Sequence, residues 1–268
     1  MSTGPTHAMS GLLAWSAVTA LASSHPIGHL SPQSWAVGAV LATGAALLPD
    51  LDHPGSTISR TFGALSGGLS AGINVVSSFV YRTTRLKKDA NRDGGHRGLT
   101  HTLVFALLAA VFTTAVVQNS QKWALPVLMF VFAGLAVRGI LNDWNPKQDA
   151  LMITVVSAGI TWAMIAWTSQ TNASAAACGI AVGVGCFAHY VGDAITEQGC
   201  PMLWPIPIMG KTWFPVAPPK ILRMKTGGVV ELAIVGPVVT ILSVWLGLAA
   251  LQATGALPFL DWVDLLPI

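Results

Sequence analysis

The sequence predicts an all-α, polytopic helical membrane protein with about seven transmembrane spans and an interfacial or re-entrant helix at 62–81. Three observations carry that reading. Only 9% of the 268 residues are charged and 53% are hydrophobic, whereas soluble domains hold about 25% charged residues. Apolar runs long enough for a hydrocarbon core recur along the chain, and the basic residues fall almost wholly on one side of them. Residues 1–268 are therefore read as a single integral membrane domain.

A span needs about 20 apolar residues, fewer where the bilayer thins. Seven runs qualify, at 9–24, 34–49, 99–117, 123–141, 150–169, 174–195 and 229–252. Pro26 and Pro32 separate the first two, Asn119, Ser120 and Gln121 the third and fourth, and Ser169 to Asn172 the fifth and sixth. Gly179 and Gly183 form a G-x-x-x-G in the sixth run, a pattern suited to close helix packing. Phe62 to Tyr81 is uncharged and nearly long enough to span, but rich in Gly and Ser. Spanning there would put Arg60 and the basic run 82–97 on opposite faces. An interfacial or re-entrant helix is expected instead, with the basic run against anionic head groups. Ala20-Leu21-Ala22 mimics a signal-peptidase site, yet no Lys or Arg precedes it, which predicts an uncleaved first span.

Orientation follows from the positive-inside rule. With the N-terminus cytoplasmic, the inside segments hold Arg60, Arg82, Arg85, Lys87, Lys88, Arg92, Arg97, Arg138, Lys147, Lys211, Lys220, Arg223 and Lys225. Those are thirteen of the fourteen Lys and Arg residues, and only Lys122 is left outside. The expected location is a bacterial-type inner membrane, crossed several times.

The same topology gathers the ionisable residues at the cytoplasmic ends. His7 precedes the first run; Asp50, Asp52 and His53 close the second in "LLPDLDHPGS"; His96, Arg97 and His101 open the third in "HRGLTH". His189 and Asp193 close the sixth in "HYVGD", and Glu231 opens the seventh. On a helix, His189 and Asp193 share one face at about 6 Å between Cβ atoms. Asp50 and Asp52 straddle the point where a helix following Pro49 changes direction, and Gly98 permits a tight entry between His96 and His101.

Carboxylates at membrane depth cost several kcal/mol unless partnered, and a divalent cation is the simplest partner for so many. A lone His at a helix end is more often solvated or a cap, and Asp193 alone could pair with Arg97 or Lys225. The joint pattern favours a metal. Cys178, Cys186 and Cys200 form no C-x-x-C pair, so thiolate zinc is not expected. His with Asp suits zinc most, then manganese or iron, and the number of candidate ligands allows two or more ions. The candidate metal ligands are His7, Asp50, Asp52, His96, His101, His189 and Asp193.

Other motif classes are absent: there is no Walker loop, G-x-S-x-G elbow or H-E-x-x-H helix. No nucleic-acid partner is expected, because the basic run lacks interleaved aromatics beyond Tyr81. "KTGGVVEL" (225–232) reads either as a phosphate-accessible turn with exposed N–H groups or as an ordinary helix entry.

"LLPDLDHPGS", "HRGLTHT", "HYVGD" with "ITEQGCPMLWPIP", and "TGGVVEL" together resemble the motif series of the LexA-regulated, membrane-bound metal-dependent hydrolase family, also called YdjM-like. The likeness runs from His7 to about Glu231. More distantly, the chain is similar to the zinc-dependent phospholipase C group, whose H-x-x-x-D helix motif His189 and Asp193 match. The resemblance implies that these two residues, with His96 and His101, are metal ligands, and that Asp50 or Asp52 is a ligand or base. It implies a hydrolysable ester as substrate.

The expected function is a membrane-embedded, metal-dependent hydrolase acting at the cytoplasmic face on a phosphoester of a lipid or membrane-associated substrate. Asp52, Arg97 and Glu231 are the candidate catalytic residues, with Arg97 against a phosphoryl oxygen. Membrane lipids are the expected partners. A metal or proton-coupled transporter and a scaffold with a structural metal are the competing readings; midplane ionisable residues would favour the transporter.

Overall fold

The computed structural model describes residues 2–22, 26–141, 149–168 and 174–257. Lys147, the breaker Ser169 to Asn172 and residues 23–24 of the first run lie outside the described residues. Among the described residues the protein is helical, with three isolated β-bridges and no strand. The helices are α1 (Gly4–Leu21), α2 (Pro32–Ala45), α3 (Ala64–Thr84), α4 (Leu103–Ile140), α5 (Asp149–Thr168), α6 (Ala175–Ala194) and α7 (Gly236–Ala253). A π-helical turn, Glu231–Val235, leads into α7.

Six of the helical segments are long and apolar enough to cross a membrane. One of these, α4, has 38 residues and would reach about 57 Å if straight, against a hydrocarbon core of about 30 Å. It is not straight, because Ser120 has non-helical angles (φ −147°, ψ 37°). At one end the Leu103 N–H donates to the Met202 carbonyl, 2.9 Å away. At the other, Gly139 lies against Gly4 and Leu47, and Arg138 Nε donates to the Thr57 carbonyl at 3.1 Å. Both ends meet the loops that follow α2 and α6, so the chain doubles back at Ser120. The third and fourth apolar runs are the two arms of α4, parted at the expected breaker.

Helix α1 starts earlier than its apolar run. Pro5 occupies the first turn, where its missing N–H costs no hydrogen bond, and His7 falls inside the helix rather than ahead of it. Thr, Ser, Gly and His dilute this helix, which is outside the six; it is packed among α2, α6 and α7. Its buried Trp15 donates Nε1–H to the Trp35 carbonyl at 3.0 Å, and Trp35 Nε1 donates to Thr19 Oγ1 at 2.9 Å. Helix α6 reaches its neighbours through glycines. A Cβ at Gly179 would collide with Thr114 and the Ala110 carbonyl, and one at Gly185 with the Ala42 carbonyl. The G-x-x-x-G thus seats α6 on the first arm of α4.

Helix α3 is inside-out. It buries Ser66, Ser70, Ser77 and Tyr81, and leaves Leu65, Leu69, Val75, Val76 and Phe79 more than half exposed. It packs on the 3-10 turns Pro49–Asp52, Ile58–Arg60 and Leu99–His101 rather than along the long helices. An exposed apolar face of this kind marks a membrane-facing or partner-binding surface. This is the packing expected of an interfacial helix at the site end, although its length and composition would also allow a crossing.

Candidate metal centre

The site begins with the end of α2. Pro49 has no N–H, so the Ala45 carbonyl accepts from the Leu48 N–H at 3.1 Å in a tightened last turn, and the Cys186 thiol also approaches it at 3.5 Å. The next carbonyl, of Ala46, accepts from His189 Nδ1 at 2.8 Å. The chain then tightens into the turn Pro49–Asp52, which buries both Asp50 and Asp52.

Asp52 is enclosed by donors. Its Oδ1 lies 2.8 Å from His96 Nδ1, and its Oδ2 lies 3.2 Å from His101 Nδ1. Oδ2 also accepts from the Arg97 N–H at 3.1 Å and from Thr100 Oγ1 at 2.6 Å. Arg97 holds a left-handed backbone (φ 54°), uncommon for a residue with a Cβ, and in it the N–H meets Asp52 while the side chain turns elsewhere.

These hydrogen bonds fix the imidazole tautomers. A carbonyl only accepts, so His189 carries its proton on Nδ1 and presents a bare Nε2. The Asp52 carboxylate only accepts, so His96 does the same; Thr100 Oγ1 gives its proton to Asp52 and accepts from His101 Nδ1 at 3.1 Å, so His101 does too. His101 Nε2 and His189 Nε2 nevertheless face each other at 3.2 Å. Two lone pairs at that distance repel unless a proton or a cation lies between them. Asp50 Oδ1 completes the group at 3.8 Å from His101 Nε2 and 3.7 Å from His189 Nε2, and Asp193 Oδ2 at 3.6 and 3.7 Å. A tetrahedral site with bonds of about 2.0–2.2 Å has ligand–ligand edges of about 3.3–3.6 Å. The observed spacings bracket that range.

Charge argues the same way. Asp50, Asp52 and Asp193 are all buried, and Arg97 is the one permanently charged cation in direct contact with them among the described residues. With neutral histidines, the buried carboxylates outnumber that guanidinium, an excess of negative charge that a divalent ion would offset. Asp50 Oδ1 is buried without a hydrogen-bond partner, as are both ring nitrogens of His7. Orphaned acceptors in a dry interior cost several kcal/mol, so the residues present fit a divalent cation.

The remaining sequence candidates divide. His7 is stacked on His189 with ring centroids 3.9 Å apart, and its Nε2 lies 3.4 Å from Asp193 Oδ1. His7, Asp50 and His189 form one set of donors close enough to share an ion; Asp50, His96 and His101 form a second; His101, His189 and Asp193 form a third. His96, with 28% of its side chain exposed, stands at the entrance. Arg97 Nη2 lies 3.1 Å from Asp193 Oδ2, and Nη1 donates to the Gly199 carbonyl at 2.6 Å. Glu231 is elsewhere. Its Oε1 accepts from the Thr3 N–H and its Oε2 from the Gly227 N–H, tying the start of α1 to the Gly227–Gly228 turn. The exposed backbone N–H expected in that turn is thus taken by Glu231.

Several residues that matter here carried no sequence signal. Thr100, the Ala46 carbonyl and Ser2, whose N–H donates to Asp193 Oδ1 at 3.2 Å, become visible only through space. Asn74 on α3 donates to the Asp52 carbonyl at 2.7 Å and so ties α3 to the site. Cys200 adds no ligand: its Sγ–H points to the His101 carbonyl at 3.4 Å, and burial pushes the thiol well above its usual range.

A family model described as YdjM inner membrane protein matches residues 1–149 and 150–257 of the chain. The chain is also 30% identical over 150 residues to YvsG, an uncharacterized protein of Bacillus subtilis (strain 168), an alignment spanning 56% of this chain and 72% of that protein. No solved structure matches it.

Proposed function

The chain belongs to the YdjM inner membrane protein family, and from that footing we propose that it is a membrane-embedded, metal-dependent hydrolase. Its substrate is a phosphoester of a lipid or membrane-associated molecule, reached at the cytoplasmic face. The single observation that carries the reading is the convergence of two bare imidazole nitrogens with two buried carboxylate oxygens. His101, His189, Asp50 and Asp193 would hold the ion, zinc best suiting this His–Asp donor set and manganese being the alternative. Asp50 belongs to both of the other donor sets, with His7 and with His96, and is the carboxylate a second ion would share. The chemistry a divalent ion would supply there is Lewis acidity toward a phosphoryl oxygen and toward water.

The protein's own residues take the remaining roles. Asp52 positions His96 and His101, an outer carboxylate that fixes tautomer and ring orientation. Its oxygens are committed to four donors, so Asp50, through Oδ2 when Oδ1 faces a single ion, is the carboxylate left to accept a proton from the attacking water. Arg97 faces Asp193 and offers a guanidinium to charge developing on the phosphoryl oxygens. A lipid substrate is supported by a cavity of about 300 Å³ between α1, α6 and α7, walled by Leu13, Phe187, Val191 and Val239. It ends at Ser2 and Gly192, which adjoin Asp193 and His7. The ionisable groups gather at one end of the bundle, which favours surface hydrolysis over transport.

The test is metal analysis of detergent-purified protein alongside hydrolysis of a phospholipid and lipid-phosphate panel. At least one equivalent of zinc or manganese is expected, and Asp193→Ala should lose metal and hydrolysis together while still inserting. Full metal occupancy in that variant, or transport in proteoliposomes without hydrolysis, would sink the reading.

A further inference from the structure

A second cavity, of about 210 Å³, opens beside the metal centre, and its wall is cationic. Arg92, Arg97 and Lys211 line it together with Tyr81, Gln198 and Trp213, and no carboxylate among the described residues does. The nearby Asp89 is turned away, accepting from the backbone N–H groups of Leu86, Thr212 and Trp213. Arg92 is held in place, with its guanidinium 4.9 Å above the Tyr81 ring and hydrogen bonds to the carbonyls of His96 and Arg97. Arg97 is 4% exposed, and its Nε is buried with no hydrogen-bond partner. Three cations around one hollow, one of them with an unused buried donor, describe a receptor for an anion.

Arg97 also belongs to the metal centre through Asp193. The two positions are therefore separated by little more than one guanidinium group. We propose that the cavity is a subsite for a second phosphate, adjacent to the one held at the His–Asp cluster, so that the substrate class is a diphosphate ester. This rests on the phosphoester reading for the reacting group, but the cavity's affinity for phosphate does not depend on it. Water attacks the terminal phosphorus at the cluster and the P–O–P bridge breaks. The leaving phosphate remains on Arg92, Arg97 and Lys211, and the proton of the water passes to Asp50.

The experiment uses full-length protein in nanodiscs, stripped of metal by a chelator so that the cluster cannot retain an anion. Inorganic phosphate binding is read by calorimetry. Wild type should bind it. Lys211→Gln and Arg92→Gln should each weaken binding at least fivefold, and Lys211→Arg should restore it. No binding, or binding indifferent to both Gln variants, overturns the subsite. In metal-loaded protein, an alkyl diphosphate should show a KM at least tenfold below that of the alkyl monophosphate, with the difference lost in Lys211→Gln. Equal KM values overturn the diphosphate class. Phosphate binding as expected with no ester hydrolysed would refute the hydrolase and leave the subsite standing. Competition for phosphate binding by an alkyl diphosphate in the nanodisc supports a lipid source, and competition by a soluble nucleoside diphosphate alone overturns that source.

Discussion

Asp50 and Asp52 stand two residues apart in one turn, and their surroundings give them opposite roles. Four donors converge on the Asp52 carboxylate, while Asp50 Oδ1 has no hydrogen-bond partner among the described residues and faces the Nε2 atoms of His101 and His189. The difference has a sign that can be measured. Asp50→Asn keeps the shape of the side chain but removes a carboxylate ligand, so it should leave the chelator-treated protein folded while abolishing the rise in melting temperature seen on adding zinc. Asp52→Asn should do the reverse in kind: it leaves the ligands present but weakens metal affinity by about 10- to 100-fold. In wild type, zinc at 100 times its Kd should stabilise by about 2.7 kcal/mol. Thermal unfolding in detergent, with and without metal, checks all three. A single His or Asp in the sequence could not reveal these roles, because role depends on which neighbour has already taken its proton.

At the scale of elements, the sequence was legible wherever a signal is local. Asn119–Gln121 marked the reversal of α4, and Gly179 with Gly183 marked a close contact, because turn chemistry and missing side chains are written into a few adjacent positions. Gly179→Ala should destabilise by about 1–3 kcal/mol through overpacking against Thr114 and the Ala110 carbonyl. Gly159→Ala on α5, where an added Cβ meets nothing within 4 Å, should be neutral or slightly stabilising. Unfolding in a graded denaturing detergent separates the two. The start of α1 was less legible. Its polar first turn carries no apolar signal, although Pro5 there is itself a helix-start residue.

For the whole molecule, the arrangement of basic residues and the inside-out α3 make one topological statement. Cysteines introduced at Arg60 and Lys87, both exposed at the ends of the α3 region, should react with an impermeant maleimide from the same side of the membrane. One at Lys122, beside the reversal of α4, should react from the other. The native Cys178, Cys186 and Cys200 are buried and should stay silent in the folded protein. Labelling of Arg60→Cys and Lys87→Cys from opposite sides would make α3 a crossing and reverse the orientation drawn for everything after it.

By itself the sequence determined the helical membrane class, the positions of the apolar runs and the gathering of His and Asp at one end of them. Those follow from hydropathy, breakers and charge bias, which are read along the chain. Only the tertiary structure decided that Asp52 is enclosed by donors while Asp50 and Asp193 converge on two imidazoles, that Glu231 ties α1 to the turn before α7, and that Arg97 joins the His–Asp cluster to a second, cationic hollow. Each of those is a relation among side chains separated by tens to hundreds of residues. Distances of 3–4 Å between them are set by how the helices pack, as where Gly185 lets α6 approach α2, and no local pattern encodes that.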